Sequence, residues 1–356
     1  MLKLLLILGF LNLEFFITIR AQDPLDCFQL EDSECPNSNV TFRLYNSNEP
    51  FGLLIDADTI EGLTLQSSDP LKVIIHGYNS SHSGTPNLEL VPQFLQIPNI
   101  SIISVDYSNL VPDPCYTQSV HNAHVVGRCI GYFLFPILNS NATVTEKLHL
   151  IGFGLGAHVA SFAANYLSDL GLKVPHITAL DPAKPLYVTT DLAERLDPSD
   201  ADFIDVIHTD IFIYGLMQPV GHVDFFPNKG VVQPNCGPID DIDTHHCYHV
   251  RAVEYYAESI SSSEVFWAFR CRDLYGFIVG ECEPNNDVEQ MGYFVRETAR
   301  GNYFLMTNGK PPYCKGKDFS NLDRTLYGET YLGDALVSKL KELGPSLRVL
   351  TTDIRK

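Results

Sequence analysis

Short apolar runs that end in polar residues alternate with helical patterns along most of this 356-residue chain. Residues with helical spacing of apolar side chains lie between several of these runs and again near residue 255. Such alternation predicts an α/β fold, with a mostly parallel sheet, helices on both faces, and functional residues at the carboxyl ends of the strands. The predicted strands are 71–77, 100–107, 147–153, 176–181 and 203–209, the predicted helices are 119–138, 157–170 and 251–260, and "GYFVRET" with "GNYFLMT" predicts a late hairpin.

The amino terminus is apolar after one lysine and leads to the small-residue site "AQD", which predicts a signal peptide over residues 1–21. Nine cysteines in an exported chain predict mostly disulfides, and the odd number leaves one cysteine unpaired or bonded to a partner. Four N-x-S/T sequons suit the same secreted, extracellular location, at Asn39, Asn79, Asn99 and Asn141. We therefore expect an extracellular, disulfide-bonded glycoprotein.

A net charge of −19 argues against a nucleic-acid partner and against electrostatic capture by anionic membranes. No segment after the signal peptide is long and apolar enough to predict a stable membrane anchor. The length suits one large domain over residues 22–316, followed by a tail over 317–356 that contains an amphipathic helical pattern. The tail is too short for a second substantial domain.

The segment "IGFGLGAH" (151–158) joins a predicted strand to a predicted helix through a glycine-rich turn. A strand, a tight turn and a helix form the frame of a nucleophile elbow, G-x-S-x-G, in which the serine stands at the turn. Gly154 occupies the position of that serine. In the chain order of such sites, an acid and then a histidine follow the elbow, and Asp181 and His249 are in that order.

The chain resembles the pancreatic-lipase family of α/β hydrolases, which includes wasp-venom phospholipases and dipteran yolk proteins. The matching segments run in family order from about residue 35 to residue 314: "VIIHGY", "IGFGLGAHVA", "ITALDPAKP", "RLDPSDADFIDVIHTD", "PVGHVDFFPN", "QPNCG" and "CYHVRAVEYYAESI". The family's "GHSLGAH" is "GFGLGAH" here, so two of the seven positions differ. The yolk proteins, which serve as storage and carrier proteins, also lack the serine.

This resemblance implies that Asp181 takes the place of the triad acid and His249 that of the triad base. Tyr78 and Leu155 take the places of the two backbone N–H donors of the oxyanion hole. Gly154 supplies no atom for attack on an ester, so the covalent route is closed. Ser161 lies two helical turns from the elbow, about 10 Å away by helix rise, and cannot replace the serine.

The resemblance also implies disulfides between Cys236 and Cys247 around a short lid, between Cys271 and Cys282, and between Cys35 and Cys115. The partners of Cys27, Cys129 and Cys314 stay open. Asp197 and Asp200 lie in "RLDPSDAD", which resembles a structural calcium loop, and an acidic turn without an ion is the alternative. We expect no required cofactor, and we disfavour a zinc site in "HHCYH" because adjacent residues point apart and Cys247 belongs to the lid disulfide.

These observations predict a lipase homologue without catalysis that binds, carries or stores a lipid or another apolar ligand. The alternative is a weak lipase or phospholipase in which His249 activates a water molecule. A third possibility is an extracellular protein-binding or storage role without lipid. A glycan on Asn79, next to Tyr78, would crowd the site, which suits a binding role better than action at a lipid interface. No protein partner is predicted by the sequence.

Overall fold

The computed structural model describes residues 27–30, 34–56, 70–140, 142–284, 287–320 and 322. The predicted signal peptide over 1–21 and almost all of the tail over 317–356, including its helical pattern, lie outside these residues. No helix in the described ranges is long and apolar enough to cross a membrane.

One twisted sheet runs through the described part of the chain, in the strand order β10-β9-β11-β8-β7-β6-β5-β3-β4-β1-β2. The six neighbouring pairs from β11 to β4 are parallel, and the strands at both edges pair antiparallel. The strands are β1 (Thr41–Tyr45), β2 (Leu53–Ile55), β3 (Leu71–Ile75), β4 (Ser101–Asp106), β5 (Leu148–Phe153), β6 (Val174–Leu180), β7 (Ala201–Ile207), β8 (Val223–Pro227), β9 (Phe266–Cys271), β10 (Val288–Met291) and β11 (Gly301–Leu305). The five strands predicted from apolar runs are thus confirmed.

Helices cover both faces of this sheet, because each parallel connection must cross over it. On one face α2 (Tyr116–Ser140) packs against α4 (Leu155–Asp169), and on the other α1 (Asn87–Phe94) packs against α5 (Ile242–Ser261). Two shorter helices, α3 (Ala142–Glu146) and α6 (Leu274–Ile278), complete the described helices. The central strands are buried on both sides, as their continuous apolar runs predict. This architecture is the α/β-hydrolase fold.

The predicted late hairpin is wrong. The second run forms β11, which lies between β8 and β9 and is parallel to β8. The first run, starting at Gly292, forms turns instead of a strand, and β10 just before it pairs with β9. Gly292 has a φ of 104°, which breaks the extended backbone, and the apolar Phe294 is 58% exposed. The alternating pattern therefore reflected a surface turn.

Four disulfides join eight of the nine cysteines, and Cys314 is free and buried. The pairs Cys236–Cys247 and Cys271–Cys282 are those that the resemblance implied. The expected Cys35–Cys115 bond is wrong: Cys35 pairs with Cys129, and Cys115 pairs with Cys27. Fourteen helical residues rise about 21 Å, and eight residues of chain can span up to about 26–29 Å, so the separation of Cys27 and Cys35 is sufficient to reach Cys115 and Cys129.

Candidate functional site

The elbow between β5 and α4 is intact as a piece of backbone. Gly154 has φ 55° and ψ −115°, a conformation that glycine accepts without the steric penalty of a Cβ atom. Its N–H donates to the carbonyl of Leu180, and its own carbonyl accepts from the N–H of Ala183. The turn is therefore fixed to the end of the neighbouring strand β6, although the residue at its tip carries no side chain.

Asp181 and His249 meet beside this elbow, as the sequence predicted. Asp181 directly follows β6 and is fully buried, and its Oδ1 accepts hydrogen bonds from the N–H groups of Thr209 and Asp210. Its Oδ2 lies 2.6 Å from Nδ1 of His249, which projects from α5. Two backbone donors and one imidazole thus hold the carboxylate in place, and the carboxylate fixes the orientation of the imidazole ring.

The ring of His249 stands where a serine side chain would begin. A Cβ atom built on Gly154 would lie 2.8 Å from Nε2 and 3.3 Å from Cε1 of His249, closer than such atoms normally pack. The ring of Phe153 lies 4.4 Å from His249, and that of Tyr214 lies 5.7 Å away. The imidazole therefore packs near two aromatic rings and partly fills the space next to the elbow.

The two residues at the oxyanion-hole positions lie on segments that adjoin the elbow. Leu155 is the first residue of α4, where a backbone N–H has no acceptor within the helix. Tyr78 follows Gly77, at which a Cβ atom would lie 2.9 Å from the carbonyl oxygen of Phe153. The backbone at Gly77 thus closely approaches the elbow backbone. The phenol of Tyr78 donates a hydrogen bond to Asp113 at 3.1 Å. Their role as oxyanion donors stays a prediction.

A second aspartate–histidine pair lies next to the first and was not predicted. His245 is one turn before His249 on α5, and its Nδ1 lies 2.7 Å from Oδ1 of Asp210. Its Nε2 lies 2.9 Å from the carbonyl oxygen of Ile239. Burial, and then the charge of Asp181, raise the pKa of Asp210 to about 6. The only sequence signals were the i, i+4 spacing of the two histidines and the position of Asp210 just after β7.

The lid, residues 236–247, consists of a loop over 236–241 and the first six residues of α5, and the Cys236–Cys247 disulfide joins its two ends. Two side chains of α5 hold its backbone: the phenol of Tyr248 donates to the carbonyl of Gly237 at 2.6 Å, and His245 contacts Ile239. Burial raises the pKa of Tyr248 to about 12, so this phenol keeps its proton at any physiological pH. The lid is therefore anchored at two points on the helix that carries His249.

The two aspartates of the expected calcium loop come together and are buried, at 4% and 1% exposure for Asp197 and Asp200. The N–H of Asp197 donates to Oδ2 of Asp200, and the N–H of Ser199 donates to Oδ1 of Asp197. Burial raises the pKa of Asp200 to about 7. Carboxylate oxygens are the ligands that calcium prefers, and a cation would offset the cost of ionising Asp200. These residues fit a calcium ion, whose binding stays a prediction.

Two other groups of residues could suggest a metal. In "HHCYH", Cys247 is oxidised and His245 is bound to Asp210, so neither offers a free ligand atom. His149, His176 and Asp205 place ligand atoms within 4.8 Å of one another. Their two imidazole rings are stacked nearly parallel at 3.7 Å, so their lone pairs do not converge, and Nζ of Lys72 lies 3.1 Å from His149. This group is better explained as a buried hydrogen-bonded network.

Several segments next to the site carry exposed apolar side chains, and one carries a sequon. Leu186 and Val188 follow Asp181 in the chain, Ile213 precedes Tyr214, and Ile242 is the first residue of α5. Asn79 is exposed at the end of the Tyr78 loop, and Asn99 is exposed elsewhere, whereas Asn39 is half-buried. Asn141 lies outside the described residues. Glycosylation at these positions stays a prediction.

A family model described as Lipase matches residues 21–313 of this chain. The chain is 32% identical to the pancreatic triacylglycerol lipase of Oryctolagus cuniculus, over 86% of this chain and 71% of that protein. It is 33% identical to the inactive pancreatic lipase-related protein 1 of Mus musculus, over 84% of this chain and 68% of that protein. Among solved structures, an alpha/beta hydrolase enzyme from a deep-sea metagenome library aligns with a TM-score of 0.32 at 15% identity, covering 50% of this chain and 67% of that one. The family-model match and the two pancreatic lipase relatives establish that the chain belongs to the pancreatic-lipase family, and the strand–elbow–helix geometry with the Asp181–His249 pair agrees with this.

Proposed function

We propose that this protein is a secreted lipase homologue that does not catalyse acyl transfer and instead binds or carries a lipid or another apolar ligand beside His249. One observation carries the proposal: Gly154 offers no nucleophile, and Nε2 of His249 lies 2.8 Å from where a Cβ atom of residue 154 would be. A serine could not be accommodated without moving the imidazole. The local packing therefore suits the glycine.

The surface chemistry around His249 supports an apolar ligand. Leu186 and Val188 are 62% and 60% exposed on the loop after Asp181, Ile213 is exposed next to Tyr214, and Ile242 is exposed at the start of α5. Exposed apolar side chains on segments that lead into a site are typical of an interaction surface. Four disulfides indicate an extracellular protein. One similar protein is itself named as an inactive lipase-related protein, which supports the absence of catalysis.

Hydrolysis by a water molecule that His249 activates is the second candidate. It is favoured by the free Nε2 of His249, which faces the elbow while Nδ1 is bound to Asp181. The closeness of the same nitrogen to Gly154 argues against it, because a water molecule needs part of that space. A storage or protein-binding role without lipid is the third candidate, and exposed apolar side chains at the site argue against it.

The test is lipid extraction and mass spectrometry of the purified secreted protein, together with assays on a phospholipid and a short-chain ester. We expect bound lipid and no ester turnover. Leu186→Asp should weaken lipid binding about tenfold, the effect of losing one buried apolar side chain. Leu170→Asp is the matched control, since Leu170 is also exposed but lies at the other end of α4. Turnover that disappears in His249→Ala would overturn the proposal, and a lipid-free protein would favour the third candidate.

A further inference from the structure

The buried pair of His245 and Asp210 has both imidazole nitrogens engaged. Nε2 faces the carbonyl oxygen of Ile239 at 2.9 Å, and Nδ1 faces a carboxylate oxygen of Asp210 at 2.7 Å. His245 is 3% exposed, so bulk water does not compete for either contact. Both groups opposite the ring are normally acceptors, whereas a neutral imidazole has only one N–H to donate.

This arrangement requires one proton more than a neutral histidine beside an ionised aspartate. A carbonyl oxygen can only accept, so Nε2 must carry a proton. The short contact at Nδ1 then needs a second proton, either on the imidazole as a cation or on the carboxyl of Asp210. In both cases the pair is neutral overall. Losing that proton to solvent leaves one N–H for two acceptors and a net charge of −1.

The surroundings oppose that additional negative charge. The backbone N–H of Asp210 donates to Oδ1 of Asp181, so a charged Asp210 lies beside another carboxylate. Burial and this neighbour raise the pKa of Asp210 to about 6. The other titratable groups around the pair are Tyr214 from the loop after β7, His246, Tyr248 and His249 from α5, and Asp240, Asp241 and Asp243 from the lid.

When the proton leaves, the contact with the lid is the one that breaks. A hydrogen bond to a carboxylate is stronger than one to a neutral carbonyl, so the remaining N–H stays on Nδ1 and faces Asp210. The lone pair of Nε2 then faces the lone pairs of the Ile239 oxygen, and the two repel. The phenol of Tyr248 keeps its bond to Gly237, so the loop loses one of its two anchors and not both.

We propose that Asp210 and His245 form a pH-operated latch that holds the loop part of the lid, residues 236–241, against α5 while the pair retains its proton and releases it at Ile239 when the proton is lost. The latch rests on the proposed function in one respect, because the lid controls access of an apolar ligand to the surface beside His249. The lid is thus closed at mildly acidic pH and loosened at alkaline pH.

Hydrogen–deuterium exchange of the ligand-free secreted protein tests the latch, measured on a lid peptide at pH 5 and pH 8 and corrected for intrinsic exchange rates. We expect exchange at the Asp241 and Thr244 amides to be about tenfold faster at pH 8, the factor that one ordinary hydrogen bond contributes. In His245→Gln, whose amide does not titrate, this difference should vanish. His246→Gln is the matched control, since the neighbouring exposed histidine lies outside the pair, and it should keep the difference.

A pH-independent lid in the natural protein, or a difference that persists in His245→Gln, would overturn the latch. If His245→Gln fails to fold, Asp210→Asn decides: its amide can donate to Nδ1 as the protonated carboxyl does, so the latch requires a slow, pH-independent lid in that variant, and retained pH dependence contradicts it. Because no lipid is present, a failed latch leaves lipid co-purification untouched. Conversely, a pH-dependent lid on a protein that never binds lipid overturns the proposed function alone.

Discussion

The histidines of two aspartate–histidine pairs lie four residues apart on helix α5, and the pairs differ in what the second imidazole nitrogen contacts. In Asp181–His249, Nε2 faces the bare backbone of Gly154 and keeps an available lone pair. In Asp210–His245, Nε2 donates to a carbonyl oxygen of the lid. The first pair has the form of a general base without a nucleophile, whereas the second has an oxygen atom opposite each ring nitrogen.

This difference shows that a histidine beside an aspartate is not by itself evidence of catalysis. The carboxylate fixes the ring in both pairs, and the partner of the other nitrogen decides what the ring can do. Where that partner is an acceptor, the pair stores a proton and anchors structure. Where it is missing, the pair can accept a proton, but no serine hydroxyl is present to supply one.

The largest expected effect is that of restoring a nucleophile to the first pair. Gly154→Ser should hydrolyse a p-nitrophenyl ester about 100-fold faster than Gly154→Ser/His249→Ala, and well below a complete triad, which gains about 10⁴-fold or more from its members acting together. The shortfall arises because His249 must withdraw to admit the Cβ atom. Equal rates in the two variants would contradict a competent Asp181–His249 pair. The variant should also lose about 1–3 kcal/mol of stability from the strained backbone at residue 154.

The next effect is a difference in how far the loss of each aspartate destabilises the folded protein. Asp181→Ala leaves the buried N–H groups of Thr209 and Asp210 without their acceptor, in addition to His249. Asp210→Ala leaves one backbone donor, that of Tyr214, together with His245. At roughly 1–3 kcal/mol for each orphaned buried donor, Asp181→Ala should be the more destabilising by at least about 1 kcal/mol. Urea unfolding of the two variants measures this, and the reverse order would contradict the comparison.

A smaller effect concerns the pH dependence of stability. The folded-state pKa of Asp210 is about 6, above the usual value of 3.8. Between these two pH values the folded protein holds a proton on Asp210, whereas the unfolded chain does not. The cost of this carboxylate is therefore fully present above about pH 6 and is relieved as the pH falls toward 4. Relative to Asp210→Asn, the natural protein should gain stability over that interval, as measured by urea unfolding at pH 7 and pH 5. A parallel pH profile in the two proteins would show that Asp210 does not titrate there.

The smallest expected effect involves Asp200, a buried carboxylate that has no histidine partner. Its pKa of about 7 means that, in EDTA, the folded protein should gain stability as the pH falls from about 7 toward 4. Millimolar calcium should raise the melting temperature at pH 7 by a few degrees and reduce this pH dependence, because the ion stabilises the charged form. Asp200→Asn should lose the calcium response, whereas Asp202→Asn, at an exposed position of β7, should keep it. An unchanged melting temperature would favour an acidic turn without an ion.

Periodicity predicted the five central strands, whereas the order of Asp181 and His249 after the elbow, together with the family resemblance, predicted the pair. It did not predict that His249 would fill the space above Gly154, since that distance depends on a side-chain conformation set by Phe153 and Tyr214. Asp210 and His245 were missed because their segments are far apart in sequence and carry no pairing motif. The Cys35 partner was wrong because it depends on the direction in which the amino-terminal segment crosses α2.

The positive φ of Gly154 has a consequence for how this chain can change over generations. A mutation to serine would impose backbone strain at once, while useful turnover would require a later adjustment of the histidine and its aromatic neighbours. Selection would therefore meet the disadvantage before the benefit. A single substitution at Gly154 is therefore not expected to restore hydrolysis at the rate of a complete triad, because efficient catalysis would need several coordinated substitutions.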